Sequence, residues 1–337
     1  MPLANVDGMT NAPLDTPFDD SSDTGVRRIT AHSIEDLLAL APVVLGFWPH
    51  DSVVMFTFGS PLPFHAHLRL PERVSTQDLR EVEETMLTPA VTHDVAAVVL
   101  LVYGHRERVV KAVHRALRAG TRRRGIDLVG CIWADGERYQ VLSGLKGSGG
   151  PVPYDVGHHP YVVEAVVEGR LAFASREEMV ASIEPDPAAC SEVTAALRRL
   201  GLGDDGPDAD DEGTAEWAER LVMGRVELGE PPMGDELARL AWAVQAISAR
   251  DAVWALIGRG TARRHESLWA AVLRQTPEHL VPPVADLLAF SAWQAGDGAM
   301  AWAAVDRARR ARPDDRMAGM IADLLDRAIP PQAWPAS

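Results

Sequence analysis

The feature that most constrains this chain is where its strand-like segments stop. Between Ser52 and Leu142 lie five runs of apolar, β-branched and aromatic residues of strand length, with amphipathic stretches between most of them. From Ala188 onward no run reads as a strand. This predicts an α/β domain over residues 30–183 followed by an all-helical region. Helical crossovers between apolar strands make the sheet mixed and at least partly parallel.

Local signals give the order of elements. Ser33 is an N-cap for a helix carrying Ile34, Leu37, Leu38 and Ala41, ending near Gly46. Ser52–Phe58 reads as a buried strand. Phe64–Leu70 alternates, with Phe64, Ala66, Leu68 and Leu70 on one face and His65, His67 and Arg69 on the other, and should form a hairpin with it. Helices are expected over 76–87 and 106–119, with strands at 95–103 and 126–133. Asp135-Gly136 predicts a tight hairpin into a return strand at 138–142. Residues 146–157 read as a Gly/Pro-rich loop. Ser175 and Glu178 fit a capping box.

The helical half contains a local echo. Trp269-Ala270-Ala271-Val272 recurs 33 residues later as Trp302-Ala303-Ala304-Val305. Ala285-Asp286-Leu287-Leu288 recurs 37 residues later as Ala322-Asp323-Leu324-Leu325. A period of about 34 residues with paired helices is tetratricopeptide-like. With roughly two copies visible against the usual three, these helices should pack on the rest of the chain. Residues 1–29 read as a disordered acidic leader, 184–213 as a helix and acidic linker, and 214–330 as a helical-repeat-like domain.

The net charge of −15 is uneven: 15 acids face 4 arginines between Glu184 and Glu236, leaving −4 for the rest of the 337 residues. This acidity argues against nucleic acid as a general partner. Two cysteines, Cys131 and Cys190, form no CxxC pair, so neither a disulfide framework nor a cysteine zinc site is read. No stretch has the length and apolarity of a membrane span or signal peptide. The expected setting is the cytoplasm, without membrane partners.

Several residue patterns could carry chemistry. His50-Asp51-Ser52 has the residue types of a hydrolytic triad, but neighbours on an extended segment point apart, which favours a turn opening a strand. Ser52, His65, His67 and Arg69 are the catalytic candidates. His65 and His67 could also ligate a metal if a third ligand came from His93, His105 or His158, or could bind an anion with Arg69. The simpler alternative for this stripe is a solvated sheet face. Arg108, Lys111, Arg115, Arg118 and Arg122 make one basic helix stripe, a candidate binding surface that most simply is solvated. Asp208, Asp210, Glu212 and Glu219 follow part of a calcium-loop pattern, though an acidic linker explains the same residues. No cofactor is read.

The stretch Leu45-Gly46-Phe47-Trp48-Pro49-His50-Asp51-Ser52-Val53-Val54 resembles the opening motif of an actinobacterial family, domain of unknown function 4192. Arg69-Leu70-Pro71, Asp135-Gly136 with Arg138, Ser175-Arg176-Glu177-Glu178, Arg250-Asp251 and Gly296-Asp297-Gly298 agree with it. The resemblance covers nearly the whole chain after the leader. The chain departs at the Gly/Pro loop, where family members often carry cysteines and this sequence has none. The resemblance implies boundaries and a cytoplasmic setting but no activity. The leading functional expectation is therefore a non-catalytic binding or scaffold protein presenting helical repeats to a protein partner. A hydrolytic or metal-assisted enzyme and a calcium-responsive protein are the alternatives. Oligomeric state leaves no signal in the sequence.

Overall fold

The computed structural model describes residues 31–61, 64–147, 149–203, 207 and 212–334. The expected leader and most of the acidic linker lie outside them. The chain opens with α1 (Ile34–Leu45), β1 (Ser52–Phe58), β2 (His65–Arg69), α2 (Thr76–Thr92), β3 (Ala97–Tyr103), α3 (Glu107–Arg124), β4 (Asp127–Ala134), β5 (Arg138–Ser143) and β6 (Val152–Pro153). These six strands form one mixed sheet in the order β2-β1-β3-β4-β5-β6. Only β3 and β4 run parallel, joined through α3.

Both expected hairpins are present. β1 pairs antiparallel with β2 from Ser52↔Arg69 to Phe56↔His65, and β4 pairs antiparallel with β5 across the Asp135-Gly136 turn. Gly136 adopts φ +99, a conformation glycine reaches without a side-chain penalty. The Ser33 cap forms as read: its side chain accepts from the Asp36 amide at 3.0 Å, and Gly46 ends α1 in the left-handed region.

The structure corrects four local expectations, one being that α3 runs on to Arg124 rather than ending at 119. α2 continues five residues beyond Leu87, through Pro89. Proline removes one helical hydrogen bond, but Met86, Leu87 and Ala90 are buried against the sheet layer and hold the last turns in place. The Gly/Pro loop contains β6, whose two residues pair with Arg138 and Tyr139. A two-residue strand has no periodicity to read, and Pro153 is tolerated because β6 is an edge. At α5 the Ser175 side chain accepts from the Glu178 amide, but the Glu178 carboxylate accepts from Ala174 rather than Ser175.

The second part of the chain is helical: α4 (Pro160–Val167), α5 (Arg176–Ala181), α6 (Pro187–Leu200), α7 (Glu212–Leu228), α8 (Gly234–Ala243), α9 (Ile247–Ala255), α10 (Ala262–Gln275), α11 (Val281–Gln294), α12 (Gly298–Ala311) and α13 (Arg316–Asp326). Among the described residues no strand follows β6, as expected. The sheet separates two hydrophobic cores. Val53, Met55, Val98, Leu100 and Val102 pack with α2 and α3. Val54, Val99, Leu101, Ile132 and Ala134 share the other core with α1, α4 and the helical half through α13. The helices therefore pack on the sheet-bearing part, as anticipated. α11 is buried along its whole length at the centre of this assembly.

Candidate functional site

β2 is an edge strand, and its backbone directions follow from its flanking hydrogen bonds. Leu70 donates to Asp51 at 2.7 Å and Thr57 donates to Phe64 at 3.3 Å. In an antiparallel ladder the bonded pairs alternate, so Phe64, Ala66, Leu68 and Leu70 address β1. The N–H and C=O groups of His65, His67 and Arg69 address the free edge. These are the three residues of the polar stripe.

That edge opens into a cleft of about 1210 Å³. One wall comes from Thr85, Met86 and Pro89 of α2. The other comes from the helical half, with Ile257–Gly260, Arg263, Trp293, Trp302 and the segment from Leu325 to Trp334. The stripe thus borders an open cleft, in which His65 and Arg69 stay solvent-exposed and His67 is half-buried. A hydrogen bond closes one side of the junction: His93 Nε2 lies 2.7 Å from the Arg327 carbonyl oxygen. Beneath the helical wall, Trp254 stacks on Phe290 with centroids 3.9 Å apart, and Trp293 and Trp334 meet edge to face at 5.7 Å.

The cleft carries positive charge within an acidic chain. Its lining holds Arg69, Arg176, Arg259 and Arg263 against the single carboxylate of Asp326. Arg69 is ion-paired with Glu177. Arg263 binds both oxygens of Glu266 at 3.1 and 2.9 Å and lies 3.5 Å from Asp297. Burial raises the pKa of both of these carboxyls, and their proximity to each other adds to the rise at Glu266. Among the described residues Arg176 and Arg259 make no ion pair, so these two guanidinium groups are available.

The imidazoles are shaped by the same surroundings. His65 is open on the cleft side but enclosed elsewhere; enclosure lowers its pKa while a hydrogen bond to Val44 opposes the shift. His67 stands edge-on to Phe47 at 5.4 Å. Burial, then Arg176 and Arg69, hold its pKa down to about 4, so it is neutral at physiological pH.

Ser52 does not join this group. It is fully buried, and its hydroxyl has no hydrogen-bond partner among the described residues. His50 and Asp51 are exposed, so His50, Asp51 and Ser52 do not converge. Of the suggested third metal ligands, His93 is engaged by Arg327, while His105 and His158 lie away from the cleft lining. Among the described residues no group of three or more His, Cys, Asp or Glu could hold a metal ion.

The other candidates are dispersed. Arg108, Lys111, Arg115, Arg118 and Arg122 all stand exposed on the outer face of α3, and Lys111 pairs with Glu107 of the same helix. Arg123 and Arg124, which extend the stripe, are held by Glu83 of α2. Asp208 and Asp210 lie outside the described residues, as does the Glu212 side chain. Glu219 is half-buried on α7.

The chain matches a family described as Domain of unknown function (DUF4192) over residues 35–332. It belongs to this family. No curated protein and no solved structure matches it. The DUF4192 match runs from α1 into the segment that forms the cleft's far wall, so both walls lie within it. Among the described residues of this DUF4192 chain, no helix is long and apolar enough to cross a membrane.

Sequence reasoning named three of the cleft residues, His65, His67 and Arg69, and missed Arg176 and Arg259 as members of the same site. Arg176 occurred only as a family point, and Arg259 lies between two glycines in a turn. Their one sequence signal was an arginine outside any helical stripe, and long-range packing gives that signal its meaning.

Proposed function

We propose that this protein is a non-catalytic binding protein whose cleft takes an extended, acidic segment of a protein partner by strand addition to β2. The observation that carries this reading is the free edge of β2, whose outward backbone groups line a cleft with two unpaired arginines. An unpaired edge is a template for a further strand. Backbone pairing would supply affinity, and alternate side chains would meet Arg176, Arg259 and the aromatic wall. The volume exceeds the roughly 300–1,000 Å³ usual for small-molecule pockets, which favours a peptide.

The helical half acts in this reading as a wall. The echoed segments fall on α10 and α12 and on α11 and α13, supporting two tetratricopeptide-like helix pairs. Their role here is to pack on the sheet and present Trp293, Trp302 and Trp334, rather than to offer a free-standing groove. An enzymatic reading draws no support from the buried Ser52.

The test is binding of a labelled peptide of alternating glutamate and valine, followed by fluorescence anisotropy. Saturable binding is expected, weakened about tenfold by Arg176→Glu combined with Arg259→Glu. His67→Pro should also weaken it, because it removes an outward N–H while leaving the bonds to β1. Equal affinity in these variants would overturn the proposal, as would failure of this peptide to protect the His67 amide from hydrogen exchange.

A further inference from the structure

The free edge of β2 has a candidate occupant in its own chain, on grounds of charge and reach. Residues 1–26 hold five aspartates, Asp7, Asp15, Asp19, Asp20 and Asp23, and no lysine or arginine. Three of these acids fall within residues 19–23. Opposite to them in sign, Arg176 and Arg259 line the cleft and make no ion pair among the described residues. The other acidic run, 204–211, is tied to α6 and α7, and neither helix contributes to the lining.

The described chain begins at Ala31, just ahead of the Ser33 cap that opens α1. The opposite end of α1, at Val44 and Leu45, lines the cleft. Its 12 helical residues span about 18 Å. Asp23 stands 8 residues before Ala31. That length of extended chain reaches about 26–29 Å, enough to bring residues 19–23 alongside β2, whose 5 residues they match. No proline falls between Phe18 and Ala31, so each of these residues keeps the N–H that a ladder needs. Phe18 is the one aromatic residue in 1–30 and suits the wall of Trp293, Trp302 and Trp334.

We propose that residues 18–23 add to β2 as a strand within the same molecule, so that this segment and the acidic segment of a partner compete for one edge. This inference rests on the strand-addition reading of the cleft. The outward N–H and C=O groups of His65, His67 and Arg69 supply the ladder, and the aspartates take up the charge of Arg176 and Arg259. A tether of this kind gives roughly millimolar effective concentration. A contact too weak to capture a separate peptide can therefore still fill the cleft, and a partner must displace it.

The test compares hydrogen exchange at the His67 amide, without added peptide, in the full chain and in the full chain carrying Asp19→Asn, Asp20→Asn and Asp23→Asn. These three positions lie outside every described element. Exchange at His67 should be about tenfold faster in the variant, and the glutamate–valine peptide should bind it about tenfold more tightly. Arg176→Glu combined with Arg259→Glu should speed His67 exchange in the same way. Equal His67 exchange in wild type and the aspartate variant would overturn this inference, whether or not the peptide binds. Faster exchange in that variant, with no saturable peptide binding by either protein, would keep the segment on β2 and overturn the partner reading instead. Wild-type protection that grows with protein concentration would place the segment of a second copy on the edge and overturn the intramolecular contact.

Discussion

His93 and Arg327 lie 234 residues apart in sequence and are joined by a 2.7 Å contact between the imidazole Nε2 and the backbone carbonyl oxygen. Because a carbonyl only accepts, Nε2 carries the proton and donates. The bond ties the end of α2 to the segment after α13, one on each wall of the β2 cleft. His93→Ala should cost about 1 kcal/mol, the net worth of one such bond. The expected result is a fall in Tm of roughly 2 °C, with faster hydrogen exchange confined to residues 327–334. Unchanged exchange there would show that the walls are held by apolar packing alone.

A second tie holds the helical half together internally. Arg307 is 3% exposed on α12 and forms a two-point ion pair with Glu278, at 3.0 and 2.8 Å. The hydrogen bonds from Arg307 hold the Glu278 pKa below its usual value despite partial burial. A lowered carboxylate pKa gives stability that is present above the unfolded value of 4.5 and lost as pH falls through the folded one. Glu278→Gln should therefore destabilise near neutrality by about 1–2 kcal/mol, a figure kept modest because Glu278 is largely solvated. The difference from wild type should shrink in melts recorded below pH 4.5. A constant difference across the acid range would assign the effect to packing.

What could be read from the sequence divides along local and long-range physics. Ser33, Gly46 and Asp135-Gly136 mark their turns because capping and turn conformations depend on neighbours in the chain. The alternation in 64–70 separates Phe64, Ala66 and Leu68 from His65, His67 and Arg69, and the first set does pack against the core under α2 and α3, although both sets border the cleft at the strand edge. The same alternation cannot reveal what stands over the polar side. The far wall comes from α10 to α13, about 200 residues later, and the charge of the cleft depends on Arg176 and Arg259 arriving there.

The burial of His67 has a measurable consequence at acid pH. Its pKa is held at about 4, below the ordinary 6.5, by burial and then by Arg176 and Arg69. The unfolded chain takes up this proton between pH 6.5 and 4 while the folded chain does not. Stability from this group is thus complete above pH 6.5 and lost as pH falls toward 4. His265, also held at about 4 by burial, acts with the same sign. His67→Gln should flatten the acid-side fall in Tm, and the His67 ring signal in NMR should titrate near pH 4. A midpoint near 6.5 would mean that water enters the cleft far enough to solvate the imidazolium.

Asp286 gives the opposite slope on the alkaline side. It sits 1% exposed in the middle of α11, with one carboxylate oxygen unpartnered. Burial, then the charge of Asp315 and a hydrogen bond to it, push its pKa up to about 8, against the opposing pull of Arg250 and Arg312. The folded protein therefore keeps a proton that the unfolded chain releases near 3.8. Its contribution is full below that value and declines as pH rises, until it is lost above about 8. Asn at this position can still donate a hydrogen bond to Asp315 and carries no titratable proton. Asp286→Asn should come closest to wild type near pH 4 and exceed it increasingly up to pH 9, with the Tm gain reaching roughly 1–3 °C. Parallel Tm curves for the two proteins from pH 5 to 9 would instead place the Asp286 charge within reach of water, with Arg250 and Arg312 sufficient to hold it ionised.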